Sequence, residues 1–88
     1  MSQKDHSQVS GRQIAAARTL VAMGQAELAV AASISVPTLK RMEASDGAAA
    51  GMANNVKAVI AALEAAGLEF IAENGGGAGV RFRERKAP

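Results

Sequence analysis

Residues 25–43, QAELAVAASISVPTLKRME, constrain the fold of this chain more than any other stretch. Leu28 and Ala29, then Leu39 and Met42, sit at helical spacing, but Ser33, Ile34 and Ser35 interrupt the pattern between them. Pro37 forbids a single continuous helix, because its ring would clash with the carbonyl one turn earlier. At the start of a second helix the same proline is tolerated, since the N–H it lacks has no helical partner there. The stretch therefore reads as a short helix over 25–31, a three-residue turn, and a further helix capped by Ser35. Ile34 should point into the core between the two helices. Ala29 suits a close helix crossing, where a larger side chain would push the pair apart. Leu39 and Met42 form the buried stripe of the later helix, leaving Val36, Pro37, Thr38, Lys40 and Arg41 at its start and on its outer faces.

Around this unit the chain reads as one domain over 9–85, mainly α, with a polar disordered arm at 1–8 and a tail at 86–88. With 88 residues, only two aromatics and abundant alanine, its core must come from closely packed helices. Ser10 is the expected cap of a first helix that carries Ile14, Ala17 and Val21 on one stripe, with Leu20 beside it, and stops at Gly24. Residues 45–53 read as a loop. Asn54 or Asn55 should cap a fourth helix that buries Val56, Val59, Ile60 and Leu63 and ends at Gly67. The period then changes to two: Leu68, Phe70 and Ala72 alternate with Glu69, Ile71 and Glu73, and Val80 and Phe82 with Arg81 and Arg83. This predicts a β-hairpin over 68–84, with Glu69 and Glu73 across from the arginines on its wet face.

Several function classes are disfavoured by composition. There is no cysteine and a single histidine, His6 in the arm, so an ordinary zinc site is not expected. The NGGGAG segment joins two expected strands instead of leading from a strand into a helix, which makes it a turn and not a phosphate cradle. No serine has a histidine or lysine partner placed by a motif, and Glu64, Glu69 and Glu73 form no acid/base pair. The chain is therefore expected to be no enzyme, to need no cofactor, and to be a cytoplasmic protein without a membrane partner. Its net charge is +2, with basic residues grouped at Lys40–Arg41 and along Arg81, Arg83, Arg85 and Lys86. Such groups admit a polyanionic partner and serve equally as a solvated face.

The 25–43 stretch resembles the helix-turn-helix of the phage-repressor family, the Cro/C1 or XRE type. The likeness lies in the opening Gln25, the inward Leu28–Ala29 pair, the turn with Ile34, the capping Ser35, Thr38–Leu39 and the closing Glu43. Members also carry a first-helix arginine that pairs with that glutamate, and Arg18 stands in its place. The GRQI start, the ALEAAG helix and the glycine-rich hairpin are similar to a small-protein bacterial subgroup along nearly the whole chain. The resemblance implies a four- to five-helix repressor-like domain with a C-terminal β-hairpin. It also implies a sequence-specific regulator of transcription, a repressor in function class, whose partner is double-stranded DNA. Val36 to Arg41 would be the recognition helix in the major groove. Gln25 and Ser35 would meet backbone phosphate, Thr38 a base or thymine methyl, Arg41 a guanine, and Lys40 phosphate.

Four departures accompany the likeness. Val36 and Pro37 stand where many relatives place Gln, Arg or Ser, and offer only apolar contact. Gly24 replaces a Ser or Thr cap, and Ser33 replaces a turn glycine, which asks a non-glycine to adopt a strained turn. A hairpin replaces the fifth helix, often the dimer interface, so a homodimer would be expected to use the free hairpin edge or an exposed Ile71. Val36, Pro37 and the light charge also motivate an alternative function, an adaptor of the same fold that binds another regulatory protein.

Overall fold

The computed structural model describes residues 9–84; the expected arm with His6, Arg85 and the tail lie outside them. The order of elements is α1 (Gly11–Leu20), α2 (Gln25–Ala32), α3 (Val36–Glu43), α4 (Ala53–Ala65), β1 (Leu68–Ile71) and β2 (Gly79–Phe82). Four helices and a two-stranded antiparallel hairpin thus make a mainly α domain.

Ser10 opens α1 through a reciprocal pair of bonds. Its hydroxyl accepts from the Gln13 N–H at 3.0 Å, and Gln13 Oε1 accepts from the Ser10 N–H at 2.8 Å. The helix does not run to Gly24 as expected. Ala22 adopts a left-handed φ of 58°, and the N–H groups of Ala22 and Met23 close back onto the carbonyls of Thr19 and Arg18. Three residues of spacing are thereby left before α2, and Gly24 becomes the N-cap of that helix, its N–H donating to Glu27 Oε1 at 3.1 Å. A second left-handed residue, Ser33 at φ 58°, closes α2 in the same way, with Ile34 N–H reaching Ala29 O. The strained turn expected at Ser33 is present, and an equivalent one at Ala22 has no glycine to signal it. Each costs on the order of 1 kcal/mol and persists because the flanking helices are anchored in the core.

The α2-to-α3 turn follows the expectation. Ser35 Oγ accepts from the Thr38 N–H at 3.2 Å, and Pro37 occupies the first turn of α3. Residues 45–52 form a loop that returns to the start of α1: Ser10 bridges Ala48, Gly11 N–H donates to Gly47 O, and Ala49 N–H donates to Val9 O. The cap of α4 is neither Asn54 nor Asn55. The helix starts two to three residues earlier, at Ala53, with Met52 as N-cap and both asparagines inside the first turn. This end is exposed, so water satisfies its free N–H groups and no side-chain cap is required. Ala66 and Gly67, the latter at φ +105°, end α4 where the sequence indicates.

The hairpin pairs Leu68 with Phe82, Glu69 with Arg81, Phe70 with Val80, and Ile71 with Gly79. Its ladder stops at Ile71, so Ala72 and Glu73 belong to the connecting loop, and Glu73 has no cross-strand position opposite an arginine. The expected charge pair is made by Glu69 alone, 3.2 Å from Arg81 Nε. Ile71 is half-buried, not exposed, which reduces it as a docking surface.

Ile14, Ala17, Leu28, Ala29, Leu39, Met42, Val59, Ile60, Leu63 and Leu68 form one core, drawing on every helix and on β1. Val21 and Val56 pack half-buried against it, while Leu20 is 43% exposed. Gln13 is a buried polar residue, and its Nε2 donates to Gly79 O at 3.0 Å, fastening β2 to α1.

Gly11 lies where the start of α1 meets the end of α3. A β-carbon there would stand 2.3 Å from Met42 O and 2.9 Å from both Glu43 O and Ser45 O, all backbone atoms that cannot rotate aside. We expect Gly11→Ala to cost about 3 kcal/mol in urea denaturation, the upper range for overpacking. Gly77→Ala, with open space around it, should stay within about 0.5 kcal/mol of the parent. A Gly11→Ala protein as stable as the parent would sink the close-approach argument.

Candidate nucleic-acid interface

Behind α3 lies a charged joint that connects three helices. Glu43, in the last turn of α3, has a side chain only 7% exposed, and it receives three donors. Arg18 of α1 reaches its two oxygens through Nε at 2.8 Å and Nη2 at 3.0 Å, a two-point fork. Gln25, the first residue of α2, donates from Nε2 to Oε1 at 3.0 Å. Arg18 Nη1 also donates to Met23 O at 3.1 Å, which ties the α1–α2 connection to the same centre. The hydrogen bond to Glu43 raises the Arg18 guanidinium above its ordinary value, against the opposing effect of burial, with the charge of Glu43 adding to the rise. Its contribution is complete below the ordinary arginine value and would fade only as pH climbs through the raised one. The joint is therefore cationic on the Arg18 side at every pH near neutrality.

The expected pair of Arg18 and Glu43 is present, and Gln25 is its third member. That placement bears directly on the expected phosphate contact of Gln25. One amide hydrogen is committed to Glu43, while the amide carries a second, so Gln25 is held in one orientation without being used up. Spacing gave no sign of this bond, because it depends on how closely α2 and α3 approach.

The outer side of α3 is divided. Pro37, Lys40 and Arg41 are exposed and share one face at positions three and four apart, with Thr38 half-buried beside them. Val36 is also half-buried, packed against the core, so only part of it remains on the outside. Ser35 is exposed, but its hydroxyl accepts from Thr38 N–H and donates to Thr38 Oγ1 at 2.8 Å, so its proton is already placed. Of the seven residues singled out in the sequence, Pro37, Thr38, Lys40 and Arg41 thus sit together on an accessible face. Gln25 is anchored behind it, Ser35 is engaged in capping, and Val36 is largely turned inward.

The other cations are disposed differently, except Lys57, which is exposed on α4 and has no ion pair among the described residues. Arg12 pairs with Asp46, Arg18 with Glu43 and Arg81 with Glu69, and Arg83 donates to the Glu64 carbonyl at the end of α4. Among the described residues, Lys40 and Arg41 have no ion pair within α3 or across its neighbours. The described part of the basic hairpin group is therefore spent within the fold, whereas the basic group on α3 faces outward. Among the described residues no single helix is long and apolar enough to cross a membrane.

Removing one partner of a pair this enclosed strands the other. Arg18→Met should lower stability by about 3 kcal/mol, the lower part of the range for such pairs because the guanidinium is 20% exposed. Adding Glu43→Leu should recover part of that loss, measured as a coupling in a urea-denaturation double-mutant cycle. Strict additivity of the two changes would contradict the joint.

No protein-family model matches this chain, and no curated protein is significantly similar to it.

Proposed function

We propose that the chain is a sequence-specific double-stranded-DNA-binding regulator of transcription, of the phage-repressor helix-turn-helix type, and most simply a repressor. The observation that carries this reading is the pairing pattern of the cations. Three of the described arginines are neutralised by carboxylates, whereas Lys40 and Arg41, without an ion pair among the described residues, stand adjacent on one exposed face of a short helix; Lys57, likewise without one, stands alone on α4. A basic stripe on the outward face of a helix is suited to the major groove, which admits an α-helix and displays a distinct pattern for each base pair.

In this reading Arg41 forks onto the O6 and N7 of a guanine, Lys40 neutralises a phosphate, and Thr38 offers its hydroxyl to a base edge. Gln25 lends its second amide hydrogen to a phosphate at the start of α2, with its orientation set by Glu43. Seating α3 across a promoter is enough to block it, so repression needs no further chemistry. The alternative of a protein-binding adaptor drew on Val36 and Pro37, and it loses support from Val36, which packs on the core.

The test is selection from a random duplex pool, followed by affinity for the winner and for a scramble at several salt concentrations. An enriched inverted repeat with half-sites about 10 base pairs apart is the expected result for a homodimer. Arg41→Ala should weaken the selected site by about 1–3 kcal/mol and the scramble far less. Lys40→Ala should weaken both alike and flatten the salt dependence by about one unit of log–log slope, as one phosphate contact requires. Gln25→Ala should also act on both. No enrichment, together with capture of a partner lost on Pro37→Asp, would replace this reading with the adaptor.

A further inference from the structure

The head of α3 offers few free hydrogen-bond donors, and this bears on what it can recognise. Helix N-termini ordinarily hold anions with their free N–H groups. Here Pro37 has none, and the Thr38 N–H is taken by Ser35 Oγ at 3.2 Å. The Ser35 hydroxyl proton is spent on Thr38 Oγ1 at 2.8 Å. Val36 is half-buried against the core. Beside the Thr38 hydroxyl, which keeps its own proton, the most exposed group at this end is the Pro37 ring, an apolar knob with no rotamer freedom to lose on contact. Four residues further along the same face, Arg41 is exposed and carries five donors. The face is therefore apolar at its head and cationic one turn later.

We propose that Pro37 is a specificity-determining residue that reads the 5-methyl group of a thymine. The inference rests on the proposed DNA-regulator reading and adds to it the chemistry of the recognised site. In the major groove thymine is the one base of the four that presents a methyl group, and apolar contact is the means of reading it. A phosphate would gain nothing from a proline ring. Residues 37 and 41 are separated by about 6 Å along the helix, at a rise of ~1.5 Å per residue. With base pairs stacked ~3.4 Å apart, that spans about two steps. A half-site accordingly holds a thymine under Pro37 and a guanine about two base steps away under Arg41. A proline at this place makes the methyl group, instead of a hydrogen-bonding edge, the information that the head of the helix extracts.

The experiment uses the full chain and the duplex enriched from a random pool. Each thymine of that duplex is replaced singly by deoxyuridine, which pairs identically and lacks only the methyl group, and affinity is measured for the parent and for Pro37→Ala. The expected result is one thymine per half-site at which deoxyuridine weakens the parent about fourfold, the weight of one buried methyl-sized group. In Pro37→Ala, with unchanged helical circular dichroism, that sensitivity should fall to near none while the Arg41-dependent guanine preference persists. If an operator is enriched but no thymine is sensitive, the methyl reading is overturned and the regulator stands. If the sensitivity survives in Pro37→Ala and disappears in Thr38→Ser, the methyl is read by Thr38 and the assignment to Pro37 is wrong. If no duplex is enriched at all, both readings fail together.

Discussion

The carboxylate of Glu43 is the constraint on which the arrangement of α1, α2 and α3 depends. It is nearly enclosed, so leaving it uncompensated would cost several kcal/mol, and the fold must bring donors to it. Arg18 supplies two and Gln25 a third, each from a different helix. Because a guanidinium fork tolerates little angular error, the bond sets the orientation of α1 against the end of α3 as well as their separation. The hydrophobic core alone would not do this. Leu28, Leu39 and Met42 reward burial in many relative orientations, whereas the ion pair rewards very few.

Two further contacts extend this fixed frame. Gly11 lets the start of α1 come against the backbone at the end of α3, immediately beside Glu43, so close approach and ion pairing reinforce each other at one corner. Gln13, two residues on, uses its oxygen to cap α1 and its nitrogen to hold β2. One side chain thus serves both the helix start and the docking of the hairpin. The hairpin in turn covers the apolar side of α1 and α4 with Leu68 and Phe70 from β1 and Val80 and Phe82 from β2. Its described arginines are occupied with Glu69 and with the end of α4, so it closes the core without adding to the outward positive charge of Lys40 and Arg41 on α3.

Much of this was legible in the sequence, for identifiable reasons. Ser10 and Ser35 caps, the Leu39–Met42 stripe and the Leu68/Phe70 alternation are local signals, and local signals survive into the structure. The misreadings fall where a tertiary demand overrides a local preference. Gly24 looks like the end of α1, yet the chain turns two residues earlier at a left-handed Ala22, because Arg18 must take Met23 O while it holds Glu43. Asn54 and Asn55 look like caps, but an exposed helix end has water for a partner and does not require one. Glu73 falls off the strand because Gly79 ends the register. The Gln25 and Gln13 bonds could not be read at all, since they join residues 18 and 66 positions apart and depend on packing already being in place.

The same geometry separates what holds α3 from what α3 shows to its surroundings. Leu39, Met42 and Glu43 face inward and carry the packing; Pro37, Lys40 and Arg41 face outward and carry none of the ion pairs that support the fold. A helix built this way can change its outer face at little cost in stability, since surface substitutions away from such supports usually cost less than about 0.5 kcal/mol. Specificity is then free to vary while the frame stays constant. Val36 marks the boundary between the two roles: half on the core and half out, it answers to packing first. Under the proposed function, recognition would then begin at Pro37, one residue further into the helix than the sequence alone suggests.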